Sequence, residues 1–294
     1  MDNLKIVIRR MSDGKEFEIS NGSAWAVAAD GLSGFGDIES EIGFDDSALY
    51  DGGIFTSDHI GKVNREINAI CVSREDMATA RSNALSFFRA KEEYRVNVTY
   101  GLRDVFAMAK AERVRCTERH LDRGYLTLTL LLVFNNPYWK STDDYGKNIA
   151  GLEGMIAFPY LCNANDDTMP KGTTGGRFTF DQSVTITNTG DIDTEARISV
   201  QSNGEVINPR IEINGHSVRM LDTMQQGDTL ELDFAAHPPR ITKNGINYIG
   251  HADRTSDFCN MQLRIGENTI KYDADNGSAN MAVNVYYNNL YGAI

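Results

Sequence analysis

From Arg210 to Phe234 side-chain polarity repeats with a period of two, and this restricts the chain to β-structure more tightly than any other stretch. Arg210-Ile211-Glu212-Ile213 alternates charged with apolar residues, Asn214-Gly215 is the pair that a type I′ turn favours, and Val218 and Met220 resume the alternation. A two-residue loop sets Ile213 opposite His216 and Ile211 opposite Val218. Ile211, Ile213, Val218 and Met220 then share a core face, and Glu212 and Ser217 share the other. After Gly227-Asp228 the pattern restarts as Thr229-Leu230-Glu231-Leu232-Asp233-Phe234. A second Asn-Gly hairpin is predicted around Asn244-Gly245. Short alternating runs stand at Val184 and Ile186, Ile198 and Val200, Met261 to Ile265, Ile270 to Tyr272 and Met281 to Tyr287. Many short strands separated by turn signals predict an antiparallel sandwich.

The N-terminal half reads differently. Leu4, Ile6 and Ile8 open a strand that turns at Ser12-Asp13-Gly14 toward Phe17 and Ile19. Residues 30–56 are rich in glycine and acidic residues, and the spacing predicts a long loop. Ile38, Ile42, Phe44, Tyr50, Ile54 and Phe55 are costly to leave in water, so that loop packs either on its own domain or on a neighbouring subunit. Lys62 to Val72 reads as a strand. One helix follows, over about 73–91: Ser73 and Asp76 form a capping-box-like start, and Met77, Ala80, Ala84, Phe87 and Phe88 fall on one stripe. Tyr94 to Tyr100, a strand near Val114 and Cys116, and Tyr125 to Phe134 complete the half. The last of these turns apolar on both faces and is predicted to be central in its sheet. Periodicity stops at Asn135-Asn136-Pro137-Tyr138-Trp139. The chain therefore divides into residues 1–145, an α+β domain with one helix, and 146–294, an all-β domain; the fold class is mainly β. Asn163 to Gly176 reads as a surface loop.

With 294 residues, Lys+Arg 29 and Asp+Glu 41, the net charge is -12, which argues against a protein that coats DNA phosphates. Such a charge suits a surface that DNA passes without sticking. The start carries no basic-then-apolar leader, and the longest apolar run, Leu130 to Phe134, is too short to span a bilayer. The chain reads as soluble, made in a cytoplasm, without membrane insertion. Cys71, Cys116, Cys162 and Cys259 are widely separated and read as reduced structural thiols.

Catalytic patterns fail on spacing. None of His59, His120, His216, His237 and His251 stands at metal-ligand intervals. Asp273-Ala274-Asp275-Asn276-Gly277 places its glycine one position early for a calcium loop and has Asn284 where the bidentate Glu belongs, so it reads as a tight turn. Gly31-Leu32-Ser33-Gly34 lacks a spacer of the nucleophile elbow, and Gly61-Lys62 has no P-loop glycine before it. No catalytic, metal or cofactor residue is assigned, and the chain reads as a non-enzyme. Trp139, Tyr248, Tyr286 and Tyr287 are candidates for stacking on sugar rings, the alternative being core or edge packing.

Several ordered segments carry a family resemblance: Phe158-Pro159-Tyr160, Asn188-Thr189-Gly190-Asp191, Ile207-Asn208-Pro209-Arg210-Ile211 with Gly227-Asp228, Ser256-Asp257-Phe258, Gly266-Glu267-Asn268-Thr269-Ile270 and the closing Tyr291-Gly292. In the N-terminal half, Asp30-Gly31, the helix from Arg74 to Ala90 and Phe134-Asn135-Asn136-Pro137 occupy comparable places. The chain resembles the distal tail proteins (Dit) of siphovirus-type phages and prophages of Gram-positive bacteria. The resemblance implies a homo-hexameric ring at the virion tail tip. That ring joins the tail tube protein to tail-tip or baseplate proteins and lets DNA through its lumen without specific binding. The N-terminal domain forms the ring, the C-terminal domain is a galectin-like sandwich facing outward, and no cofactor is implied. A closing ring needs a heterologous interface. The surface assigned to it is the 30–56 loop together with the first hairpin, with Ile38, Ile42, Phe44, Tyr50 and Phe55 as interface residues. The competing function is a carbohydrate-binding module that contacts host cell-wall sugars.

Overall fold

A computed structural model describes residues 4–46, 51–71, 77–119, 125–142, 145–148, 151–154, 176–179, 183–236 and 238–294. Contacts divide the chain into two units, Met1–Asp143 with Leu290–Ile294, and Asp144–Asn289. The last five residues thus return to the first unit instead of closing the second. Leu290–Tyr291 pairs with residues 139–140 there, and the Ile294 N–H donates to the Phe35 carbonyl.

The first unit contains β1 (Lys5–Arg10), β2 (Glu16–Ser20), β3 (Trp25–Ser33), β4 (Glu41–Asp46), β5 (Gly53–His59), β6 (Val63–Cys71), α1 (Met77–Phe87), β7 (Glu93–Tyr100), β8 (Arg103–Arg119), β9 (Tyr125–Phe134) and β10 (Trp139–Ser141). Its main sheet runs β2-β1-β7-β8-β9-β6-β3 with antiparallel neighbours, and β10 adds to β8. Alternation decides which face is core. Ile6 and Ile8 lie opposite Val98 and Val96, and Leu126, Leu128, Leu130, Leu132 and Phe134 all point to the same buried side. Flanked by β8 and β6, β9 is central, as its apolar run predicts.

The helix covers that core with Ala84 and Phe87, joined by Phe88 just beyond its end; Met77 and Ala80 pack beside them. It stops at Phe87 rather than continuing to 91, and Lys91 adopts φ 69, outside the helical region. The proposed cap, Ser73 to Asp76, lies outside the described residues. The strand predicted near Val114 and Cys116 is the 17-residue β8; a bulge between Ala111 and Arg113 breaks its alternation in the sequence while the pairing continues.

A buried arginine locks the first hairpin onto the helix. Arg10, 1% exposed, donates from Nε to Asp13 at 2.9 Å and from Nη2 to the other carboxylate oxygen, while Nη1 reaches the Phe87 carbonyl at 2.5 Å. Its charge therefore sits at the C-terminal end of α1, where the helix dipole favours it. The Arg10 hydrogen bond holds the Asp13 carboxyl well below the usual carboxylate range. A carboxylate with a depressed folded-state pKa contributes stability above its unfolded pKa of about 3.9 and loses that contribution as pH falls through the folded value. Asp13→Asn is expected to lower the midpoint of thermal unfolding at neutral pH, and the gap from wild type should close as pH drops below about 4. Both tryptophans, Trp25 and Trp139, belong to the first unit, so tryptophan emission reads this transition. A gap of constant size down to strongly acidic pH would contradict it.

The second unit packs two antiparallel sheets over one core. One orders Tyr145–Asn148, Met281–Tyr287, Arg197–Ser202, Thr229–Asp233, Arg240–Lys243 and Ile246–Asn247; the other orders Ser183–Asn188, Gly266–Asp273, Arg210–Ile213 and His216–Arg219. The hairpin at Asn214-Gly215 has the expected register, Ile211 opposite Val218 and Ile213 opposite His216, with φ 51 and 91 at the two turn residues. Positive φ at both positions is what a type I′ turn requires. Ile211, Ile213, Val218, Met220, Leu230, Leu232 and Phe234 are all buried. The Asn244-Gly245 turn repeats the device. Of the run predicted at Met261 to Ile265, only Gln262–Leu263 is a strand.

Candidate assembly interface

Residues 30–56 are not the loop that their glycines suggest. Asp30 belongs to β3, and β4 and β5 pair as a separate two-stranded sheet, an arm that joins neither large sheet. The alternation is hidden in the sequence because the register shifts between Gly43 and Phe44. Across that irregularity Ile42 lies opposite Asp58 and Phe44 opposite Phe55, with the two rings 4.8 Å apart. Ile42, Phe44 and Phe55 therefore share one face of the arm, and Ile54, opposite Asp45, takes the other.

These side chains are open to solvent. Phe44 is 56% exposed, Phe55 70%, Ile54 57% and Ile42 48%. Ile38 is 71% exposed and sits in the segment that leads into the arm, apart from the aromatic pair. Tyr50 lies outside the described residues. An isolated two-stranded hairpin is marginally stable in water, and a contiguous exposed apolar patch on a soluble chain marks an interaction surface.

The root of the arm, in contrast, is rigidly built. Phe35 is buried with its ring 5.5 Å from Trp139. Gly34 adopts φ 78, and a Cβ there would come within 2.6 Å of the Asn64 carbonyl, so only glycine fits. Beneath it Arg65, 1% exposed, donates from Nε to the Gly34 carbonyl at 3.0 Å and from Nη2 to the Pro137 carbonyl at 2.6 Å. Its guanidinium lies over the rings of both Phe134 and Trp139, 4.4 and 4.3 Å from their centroids. Burial pushes its pKa down to about 10, so it remains charged at neutral pH. A cavity of about 310 Å³ opens beside this root, with Asp37, Glu39, Glu41, Lys62 and Tyr138 among its lining. The signal for Arg65 was present in the sequence: it occupies the inward parity of β6 with Ile67, Ala69 and Cys71.

The sugar-stacking candidates fall in both units, Trp139 in the first and Tyr248, Tyr286 and Tyr287 in the second. Trp139 is fully buried beneath the arm root, which removes it from that role. Tyr248 stacks on His251 at 3.9 Å, and Tyr286 lies under Arg197. Among the described residues no group of His, Cys, Asp and Glu is placed to hold a metal ion.

In the second unit, two of the segments that carried the resemblance centre on buried asparagines, Asn188 and Asn268. Asn188 donates to the carbonyls of Ile192 and Leu263 and accepts from the Gly190 N–H; Asn268 ties Arg264 and Gly266 to the Asn214 turn. Phe158-Pro159-Tyr160 lies outside the described residues. Residues 189–291 match the family described as siphovirus-type tail component, C-terminal domain (SPP1_Dit). Among solved structures, this chain resembles SPP1 Dit, described as a paradigm of the hub adsorption apparatus in phages infecting Gram-positive bacteria. It does so at 13% identity over 97% of this chain and 98% of that one, with a TM-score of 0.65. A chain of the phage P2 baseplate in its activated conformation with Ca matches at 11% identity over 100% of both chains, with a TM-score of 0.53. No curated protein sequence matches.

Proposed function

We propose that six copies of this chain close into a ring at the tail tip, formed by the N-terminal units, which joins the tail tube protein to the tail-tip or baseplate proteins. The galectin-like C-terminal unit then serves as the outward docking domain. The observation that carries this reading is the arm, which holds Ile42, Phe44 and Phe55 on one face with no cover from its own chain. A ring needs one flank to match a different flank, and a projecting hairpin on one side of each subunit supplies such a heterologous contact. The net charge of -12 suits a lumen that phosphate traverses without being gripped. Light scattering coupled to size exclusion should return six chain masses, and electron microscopy of that fraction a six-fold annulus. A particle of two chain masses, or a lumen lined chiefly by Lys and Arg, would overturn the corresponding part of the proposal.

A further inference from the structure

The arm differs in charge from the rest of its unit. No Lys or Arg occurs between Lys15 and Lys62, whereas Asp37, Glu39, Glu41, Asp45, Asp46, Asp51 and Asp58 all fall in the segment that forms the arm and its root. Apart from Thr56, Ser57 and His59, which lies 3.2 Å from Glu41, the charged and large side chains of β4 and β5 are acidic or apolar.

A surface of the opposite character lies on the same unit. One face of the main sheet is core, covered by α1; the pairing register sets out the residues of the other. Arg9 lies opposite Arg95 and Arg95 opposite Met108; Lys110 lies opposite Val133, and beyond the β8 bulge Arg113 lies opposite Leu131 and Arg115 opposite Thr129. Phe106, Met108, Leu131 and Val133 are only half-buried there, while Lys110, Arg113 and Arg115 are exposed. Among the described residues none of these three cations has a carboxylate partner, and Glu93 and Glu66 are the acids that stand beside them in the register. With Arg9, Arg95, Lys110, Arg113 and Arg115 set against Glu93 and Glu66, the face combines half-open apolar side chains with an excess of positive charge, the complement of the arm in both respects.

We infer that the arm of one copy lies across this open sheet face of the next copy, with Ile42, Phe44 and Phe55 on the Met108–Leu131–Val133 strip and Asp46 and Asp58, which share their face of the arm, toward Lys110, Arg113 and Arg115. This rests on the ring reading above and names the surface that receives the arm. It also withdraws the densest basic strip of the unit from any DNA in the lumen.

Charge exchange tests it. Arg113→Glu/Arg115→Glu on the face should weaken assembly at least about a hundredfold, since like charges brought together at an interface cost several kcal/mol. Asp46→Lys/Asp58→Lys on the arm should do the same. The two sets combined in one chain should restore assembly, because each reversed arm then meets a reversed face. Should a reversed protein fail to fold, as read by tryptophan emission, the wild-type assembly supplies a second measurement. Zero-length carbodiimide coupling should join Lys110 of one chain to an arm carboxylate of another. If face reversal leaves assembly intact while Phe44→Asp abolishes it, or if the coupling joins the arm only to lysines elsewhere, the arm docks on another surface and this inference fails while the ring stands. A wild-type chain that never self-associates would remove the ring itself.

Discussion

Arg65→Ala should destabilise the first unit by about 4 kcal/mol, near the upper end of what a single substitution does. Three losses add. The side chain leaves a void over Phe134 and Trp139, and truncating a large buried residue costs roughly 2–5 kcal/mol. The Gly34 and Pro137 carbonyls each lose a charge-assisted hydrogen bond. A buried acceptor without a donor costs about 1–3 kcal/mol. Opposing these, removal of a desolvated cation returns roughly 3 kcal/mol, the equivalent of a guanidinium pKa held at about 10. Arg65→Met separates the effects, because it refills the void and removes the charge but still leaves both carbonyls bare. It should recover about half of the loss. Urea unfolding followed by tryptophan emission measures both variants in the first unit alone, with the midpoint shifted and the slope retained. Equal stability of Arg65→Met and wild type would mean that the two carbonyl bonds contribute nothing net.

Ile42→Asp/Phe44→Asp/Phe55→Asp should yield a folded monomer. Each apolar side chain contributes about 1.5–3 kcal/mol when taken out of water, and a carboxylate in its place adds a desolvation cost, so association should weaken by more than about a thousandfold. The unfolding midpoint of the unit should stay near that of wild type, because β4 and β5 form their own sheet and none of the three residues belongs to the core. Ile38→Asp alone should have the smaller effect, since Ile38 lies outside the hairpin at its root. A ring of unchanged size with all three substitutions would show that the arm is not the contact.

The hairpins around Asn214-Gly215 and Asn244-Gly245, the central β9 and the helix stripe of Ala84 and Phe87 could be read residue by residue. In each, the pattern has the period of the element, and the turn residues must take positive φ. Where a bulge interrupts the period the sequence misled. The shift at Gly43 made the arm read as a loop, and the one at Ala111 hid most of β8. Trp139 misled for another reason: an aromatic beside a chain break has the same composition whether it faces sugar or core, and here it lies under Phe35 and Arg65.

What the sequence determined by itself was local: strand periodicity, type I′ turns, the weight of acidic residues and the failure of every catalytic spacing. Those properties depend on residues a few positions apart, and alternation with a period of two specifies a buried face whatever the topology. Only the tertiary structure decided that Ile42, Phe44 and Phe55 stand on one uncovered face, and that Arg65 holds the root of the arm through partners 31 and 72 residues away. Burial and exposure are sums over the whole fold. An arginine at an inward position reads as an anomaly until the carbonyls and rings that surround it are brought there by distant segments.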